Sequence, residues 1–251
     1  GMGELHLDII KTKLIRDLKI DVTVGTPRVA YRESISGSGE ARGTHKKQTG
    51  GRGQFGDCQI RVEPITAEQA AAEELKLVDG VAFVNDIVGG SIPKEYIPSV
   101  GVGCRAAART GILAGYPIEG VKVTLFDGSY HEVDSSQIAF EQAGILAFRS
   151  ACNKAGLQLL EPIMKVVVTT PEEFLGSVTG DLNRRRAIIS DQEPRGNARL
   201  VTAEAPLSEM FGYSNTLRGM SQGRATYSME PLEYRPVPNN VAKEILEAAQ
   251  K

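Results

Sequence analysis

The residues best suited to chemistry lie between Arg42 and Gly56. Those fifteen positions carry four permanent cations (Arg42, Lys46, Lys47 and Arg52) and His45, with no acid. Five glycines in the same stretch oppose a stable helix and bare backbone N–H groups. Cations, open amides and short polar side chains such as Gln48 and Thr49 suit phosphate oxygens and sugar hydroxyls. The whole chain has a net charge of -2, so this is a local anion-seeking loop and not the echo of a basic composition. A solvated surface loop has the same composition and remains the alternative at this point.

Other motifs are weaker. Gly51-Arg52-Gly53-Gln54-Phe55-Gly56 spells Gly-x-Gly-x-x-Gly. The dinucleotide fingerprint needs a strand before it and a helix N-terminus after it. Here a basic stretch precedes and strand-like residues follow. The phosphate loop Gly-x-x-x-x-Gly-Lys-[Ser/Thr] is absent from the 251 residues. His131 lies in Asp127-Gly128-Ser129-Tyr130-His131-Glu132, just after a tight-turn signal, where an imidazole can hydrogen-bond or stack on RNA. As a general base it would need a nucleophile and an orienting carboxylate. Glu132 and Asp134 are near, but no serine or cysteine nucleophile motif accompanies them, and no catalytic residue is assigned. Arg184, Arg185 and Arg186 end a helical pattern. One cation there would serve the helix dipole; three can also engage phosphate, a possible ribosomal RNA contact.

Composition sets the frame for these motifs. Hydrophobic residues at 41% and charged residues at 24% describe a soluble globular protein of about two domains. No apolar run approaches the ~20 residues that cross a bilayer, and no signal peptide opens the chain. Cys58, Cys104 and Cys152 are odd in number and far apart, which points to free thiols in a reducing cytoplasm. His6, His45 and His131 show no metal-ligand spacing, so no metal is expected.

The elements that must position these residues follow from periodicity. Leu7, Ile10, Leu14 and Leu18 mark a helix, and Asp21 to Val24 a strand. One helix and one strand cannot bury that stripe, so residues 1–26 are expected to be the tail of a domain whose beginning is missing. Residues 27–158 form a mixed unit. Strands are expected at Val29–Ile35, Asp57–Val62 and Val81–Val88, and a helix at Ala67–Glu74. A second helix should start near Pro93 and close at Gly111. Val121–Phe126 should end in a turn at Asp127-Gly128. Asp134 or Ser135 should cap a long helix that faces the core with Ile138, Ile145, Phe148 and Cys152 and ends at Gly156. Residues 159–251 give the order βαββαβ of a ferredoxin-like unit, with a capping box at Thr170-Pro171-Glu172-Glu173 and a short C-terminal helix around Val241, Ile245 and Ala249. The class is α+β.

The ordered motifs resemble elongation factor G, the ribosomal translocase GTPase. Gly1-Met2-Gly3-Glu4-Leu5-His6-Leu7 is similar to the end of its domain III, and residues 45–56 to a tip loop of its domain IV. Gly89-Gly90-Ser91-Ile92-Pro93-Lys94-Glu95-Tyr96, Asp127 to His131, and Leu217-Arg218-Gly219-Met220-Ser221-Gln222-Gly223-Arg224 also resemble that family. The resemblance implies part of domain III, then a domain IV similar to ribosomal protein S5 domain 2, then a ferredoxin-like domain V. It implies a role in moving transfer and messenger RNA through the ribosome. The partners would be ribosomal RNA and the tRNA–mRNA duplex, with no membrane, and the protein would be a cytoplasmic monomer. GTP and Mg would belong to an N-terminal domain that this fragment lacks, leaving it without a cofactor of its own. By match, the decoding-centre tip falls on His45, Lys46, Lys47, Gln48, Thr49, Gly50, Gly51, Arg52 and His131. Thr49 stands where serine is usual and Phe55 where tyrosine is usual. Two rivals are a tetracycline-type ribosome-protection protein of the same architecture and an enzyme holding a nucleotide on the Gly-rich loop.

Overall fold

Small residues at 39, 41 and 43 alternate with Glu40, Arg42 and Thr44, and this period of two makes a strand of a segment that its glycines mark as a loop. The computed structural model describes residues 4–20, 25, 27–48 and 50–249. In chain order the elements are α1 (Glu4–Arg16), β1 (Arg32–Ile35), β2 (Gly39–Lys47), β3 (Gln54–Pro64), α2 (Ala67–Ala72), β4 (Leu77–Val78) and β5 (Val81–Asn85). Then come α3 (Ile97–Thr110), β6 (Val121–Ser129), α4 (Gln137–Ala155), β7 (Leu157–Pro171), α5 (Leu175–Arg184) and β8 (Ile188–Arg195). The last are β9 (Ala198–Pro206), α6 (Tyr213–Met220), β10 (Thr226–Pro236) and α7 (Asn239–Ala249). The expected strand at 21–24 and the motif residues 1–3 lie outside the described residues.

The chain divides into two compact units. One is built from Tyr31–Leu160 with the segment from Pro236, the other from Glu161–Arg235 with the segment through Ala30. Packing, not chain order, assigns the C-terminal segment. Val237 is buried, and its N–H donates to the Leu159 carbonyl of the first unit at 2.9 Å.

The first unit's sheet runs β2-β3-β6-β5-β4, antiparallel except for β5 beside β6, which are joined by the α3 crossover. Cys58, Ile60 and Val62 on one face of β3 meet Val121, Val123 and Leu125 of β6. Val100 and Cys104 of α3, with Phe140, Phe148 and Cys152 of α4, complete this core. Burial pushes the Cys58 and Cys152 thiols up to about 12, so they stay protonated and unreactive. The buried Glu33 carboxylate accepts the N–H groups of Ile112, Leu113, Ala114 and Tyr116 at 2.8 to 3.1 Å, fixing the turn after α3 to β1.

Of the residues expected to face the core from α4, Phe148 and Cys152 are buried and Ile145 packs against that core, but Ile138 does not join them and a row of alanines does. Ile138 is 64% exposed, whereas Ala139, Ala143, Ala147, Ala151 and Ala155, four apart along the helix, are all buried. This alanine ridge lies directly on the backbone of β2 and β3. A Cβ on Gly43 would run into the Ala143 carbonyl and sit 2.5 Å from Ala147 N. One on Gly39 would come within 2.9 Å of Ala155 N, and one on Gly56 within 2.8 Å of Phe140 N.

Three local expectations need correction. The expected loop of Arg42–Gly56 is a hairpin, with Gly39–Lys47 paired to Gln54–Val62. Asp127 and Gly128 are no turn. They continue β6 opposite Gln59 and Cys58, past a bulge that absorbs Phe126, because Gly128 must fit against the Asp57 carbonyl and Ile92. Ser136, not Asp134 or Ser135, caps α4, through the Ala139 N–H.

The second unit orders its strands β10-β7-β9-β8 and carries α5 and α6, the βαββαβ ferredoxin-like arrangement. Val166, Val168, Val201 and Ala203 of the sheet pack with Val178, Leu182, Tyr213 and Leu217 of the helices. The capping box does not form. Glu172 and Glu173 open a short 3-10 turn instead, and their carboxylates bind Arg199 and Arg224 across the fold.

Because the helix–sheet gap admits no side chain, Gly43→Ala is expected to cost about 2–3 kcal/mol through forced overpacking. Gly180→Ala in α5, where a Cβ meets nothing within 4 Å, should be neutral or add up to about 1 kcal/mol. Urea unfolding of both variants checks this. Equal effects would show that the close approach carries no weight.

Candidate nucleic-acid interface

The β2–β3 hairpin pairs the basic segment as far as Lys47 and Gln54, leaving a short connection of which Gln48 and Gly50 to Gly53 are described. Lys46, Lys47, Gln48, Gly50, Gly51 and Arg52 are exposed there, and Gly50 takes φ +30° in open space. Thr49 lies outside the described residues. His45 is half-buried at the end of β2, with Nε2 2.8 Å from Gln54 Oε1. Only part of the glycine pattern therefore serves the turn. Gly43 and Gly56 are required by α4, and Gly53 rests on Asp134.

The β6–α4 loop lies against this turn. Arg52 Nε donates to the Val133 carbonyl at 2.9 Å, and the Gly53 N–H to Asp134 Oδ1 at 3.1 Å. Phe55 N–H donates to the Asp134 carbonyl at 2.8 Å, and the Phe55 ring stands 6.3 Å from that of His131. His131 is held by a reciprocal pair with Ser135. Its N–H donates to Ser135 Oγ at 2.9 Å, and its carbonyl accepts the Ser135 N–H at 3.0 Å. The imidazole remains 58% exposed. One end of the first unit thus carries exposed cations, an open glycine turn and an available imidazole.

The β5–α3 loop reaches the same end, a neighbour that sequence reasoning did not place there. Its Ile92 is buried against Gly128, and Tyr96, stacked on Phe140 at 5.0 Å, donates its hydroxyl to the Ser135 carbonyl at 3.4 Å. Asp134 was legible only as a cap or an orienting acid. Its partners on a loop some 80 positions earlier left no local signal. The Gly-x-Gly-x-x-Gly match runs into β3 instead of a helix, so it lacks the N-terminus that would hold a pyrophosphate.

Beneath the tip sits Asp57, 1% exposed. Its carboxylate takes Arg42 Nε at 2.8 Å and Nη2 at 2.5 Å, Thr44 Oγ1 at 2.7 Å and Ser129 Oγ at 2.7 Å. Burial raises its pKa, but hydrogen bonds from Arg42, Thr44 and Ser129 outweigh this and hold it below the usual carboxylate range. Arg42, counted among the cations of the anion-seeking segment, thus helps to tie β2, β3 and β6 together.

The three arginines of the second unit divide in the same way. Arg184 is exposed. Arg185 binds Asp181, the Glu209 carbonyl and Thr216 and lies 5.0 Å over the Tyr213 ring. Arg186 forks onto the buried Glu161 at 2.8 and 2.9 Å and reaches Glu209 at 3.2 Å. Of the three, Arg184 can turn to phosphate without giving up a contact within the fold.

The chain is similar to known proteins over both units. Residues 27–156 match the family pattern of elongation factor G, domain IV, and residues 158–245 that of the elongation factor G C-terminus. A crystal structure of a protein from Thermus thermophilus is similar to the chain with a TM-score of 0.83 and 39% identity. The match covers 100% of this chain and 36% of that one, so the chain spans about a third of that relative's length. Among the described residues no helix is long and apolar enough to cross a membrane, and no group of His, Cys, Asp or Glu is placed to hold a metal.

A carboxyl group titrates near 3.9 in an unfolded chain, and Asp57 titrates lower in the fold. Its contribution is therefore complete above about pH 4 and fades as pH falls toward the folded value. Asp57→Asn is expected to lose about 2–3 kcal/mol at pH 7 and to flatten the drop in stability below pH 4. Urea midpoints from pH 2 to 7 test this. An unchanged acid profile would remove Asp57 as a source.

Proposed function

The chain belongs to the elongation factor G family, and on that premise we propose that it supplies the RNA-contacting part of a GTP-driven ribosomal translocase. The observation that carries the reading is the joining of the glycine-rich β2–β3 connection to the His131 loop through Arg52–Val133 and Gly53–Asp134. That joint presents cations and an imidazole on one rigid end.

In this reading the end enters the decoding centre as a wedge. Lys46, Lys47 and Arg52 meet phosphate, Gly50 and Gly51 let the backbone approach, and Gln48 and His131 meet sugar or base edges in a shallow minor groove. Of the three consecutive arginines in the second unit, Arg184 would meet ribosomal RNA. Work would come from contacts that differ between two states of the ribosome, coupled to hydrolysis of GTP held with Mg2+ by a separate GTPase domain. The factor would act as a cytoplasmic monomer.

The test is a chimeric elongation factor G carrying this chain in place of its own equivalent. Gln48→Ala and His131→Ala should each slow mRNA translocation about tenfold, the worth of one good hydrogen bond, with GTP hydrolysis within about twofold of normal. Equal loss of both activities would overturn the division of labour.

A further inference from the structure

Asp134 touches both the glycine-rich connection and the His131 loop. Its Oδ1 accepts the Gly53 N–H at 3.1 Å, and its carbonyl accepts that of Phe55 at 2.8 Å. Its own N–H donates to His131 Nδ1 at 3.4 Å, and its Oδ2 lies 3.7 Å from the same ring nitrogen. The side chain is 23% exposed, so this acid faces its neighbours more than solvent. A backbone N–H can only donate. Nδ1 therefore accepts, and the neutral ring carries its proton on Nε2 as a donor for an oxygen outside. The fit is close from the other side as well, since a Cβ on Gly53 would lie 3.0 Å from Asp134 Cγ and Oδ2.

We infer that Asp134 is a positioning residue, a latch that sets the glycine turn and the His131 ring in one fixed relation without itself contacting RNA. The inference rests on the RNA-contacting role proposed for the tip. A carboxylate beside phosphate is electrostatically unfavourable, so an acid in contact with Gly53 and His131, at a surface proposed to meet RNA, needs a return of another kind. The geometry supplies one: the N–H groups of Gly53 and Phe55 and one imidazole are ordered by a single residue. Oδ1 is the atom that matters for the turn, and any oxygen acceptor of the same reach can replace it.

Amide hydrogen exchange on this chain, read by NMR, tests the latch. Asp134→Ala should speed exchange at Gly53 about tenfold or more, the loss of a charge-assisted hydrogen bond, with Ile60 in the core unchanged. Asp134→Asn, which keeps an oxygen acceptor, should restore protection to near the original rate. Gly53→Ala should displace the carboxylate and mimic Asp134→Ala, and the two together should be no worse than either. In the chimeric factor, Asp134→Ala should slow translocation and Asp134→Asn should not. In a Gln48→Ala, His131→Ala background, Asp134→Ala should add nothing. Unchanged Gly53 exchange in Asp134→Ala, or an equal slowing with and without Gln48 and His131, would overturn the latch. If Gln48→Ala and His131→Ala leave translocation untouched, the proposed function falls, and the exchange data still decide whether the latch exists.

Discussion

The alanine ridge of α4 lies backbone to backbone on β2 and β3, and the rest of the first unit depends on that contact. Ala139, Ala143, Ala147, Ala151 and Ala155 form one straight row, and Gly39, Gly43 and Gly56 leave the strip that receives it. The same device recurs between the helices. A Cβ on Gly144 would sit 2.6 Å from the Val100 carbonyl, and Gly103 faces the Glu141 carbonyl as closely. Removing side chains from both surfaces forfeits hydrophobic area but gains many short dispersion contacts and a single allowed register. Because α4 begins at Ser136, just after the His131 loop, its seating on the sheet also decides where that loop must emerge.

The tip inherits this rigidity through polar ties. Asp57 gathers Arg42, Thr44 and Ser129 from three adjacent strands just below the exposed residues, and Asp134 joins the two loops above. Short acids thus organise a surface that exposes Lys46, Lys47 and Arg52 beside Gln48, His131 and Glu132. Structure and function draw on the same residue types, and burial separates them. Arg42 has a buried partner, whereas Lys46 and Lys47 stand in solvent. In the second unit Arg185 and Arg186 hold α5 to its neighbours while Arg184 remains outward. Arg186 takes φ +56°, a strained conformation for a long side chain, and its fork onto buried Glu161 is the compensation the fold supplies.

Much of this was legible before any coordinates. The βαββαβ order, the apolar face of β3 at Cys58, Ile60 and Val62, and helix ends at Gly111 and Gly156 follow from period and turn chemistry, which act between near neighbours. What failed did so for one reason. Gly43 and Gly56 resemble loop glycines until a helix is laid over them, and Asp127-Gly128 resembles a turn until β3 pairs with it. Ile138 ranks above alanine in hydrophobicity yet lies in solvent, because the available gap fits only a methyl group. The capping box at Thr170 gave way because Glu172 and Glu173 found arginines on other elements.

The amino-acid order by itself determined the βαββαβ order of the second unit, the core-facing strand at Cys58, Ile60 and Val62, and the family, since these rest on local spacing and on motifs contiguous in the chain. Tertiary structure alone decided which glycines serve packing and which serve the turn, and which arginines remain outward. It also decided that Asp134 stands between two loops some 80 positions apart. Those outcomes are set by distances between segments that no local pattern encodes.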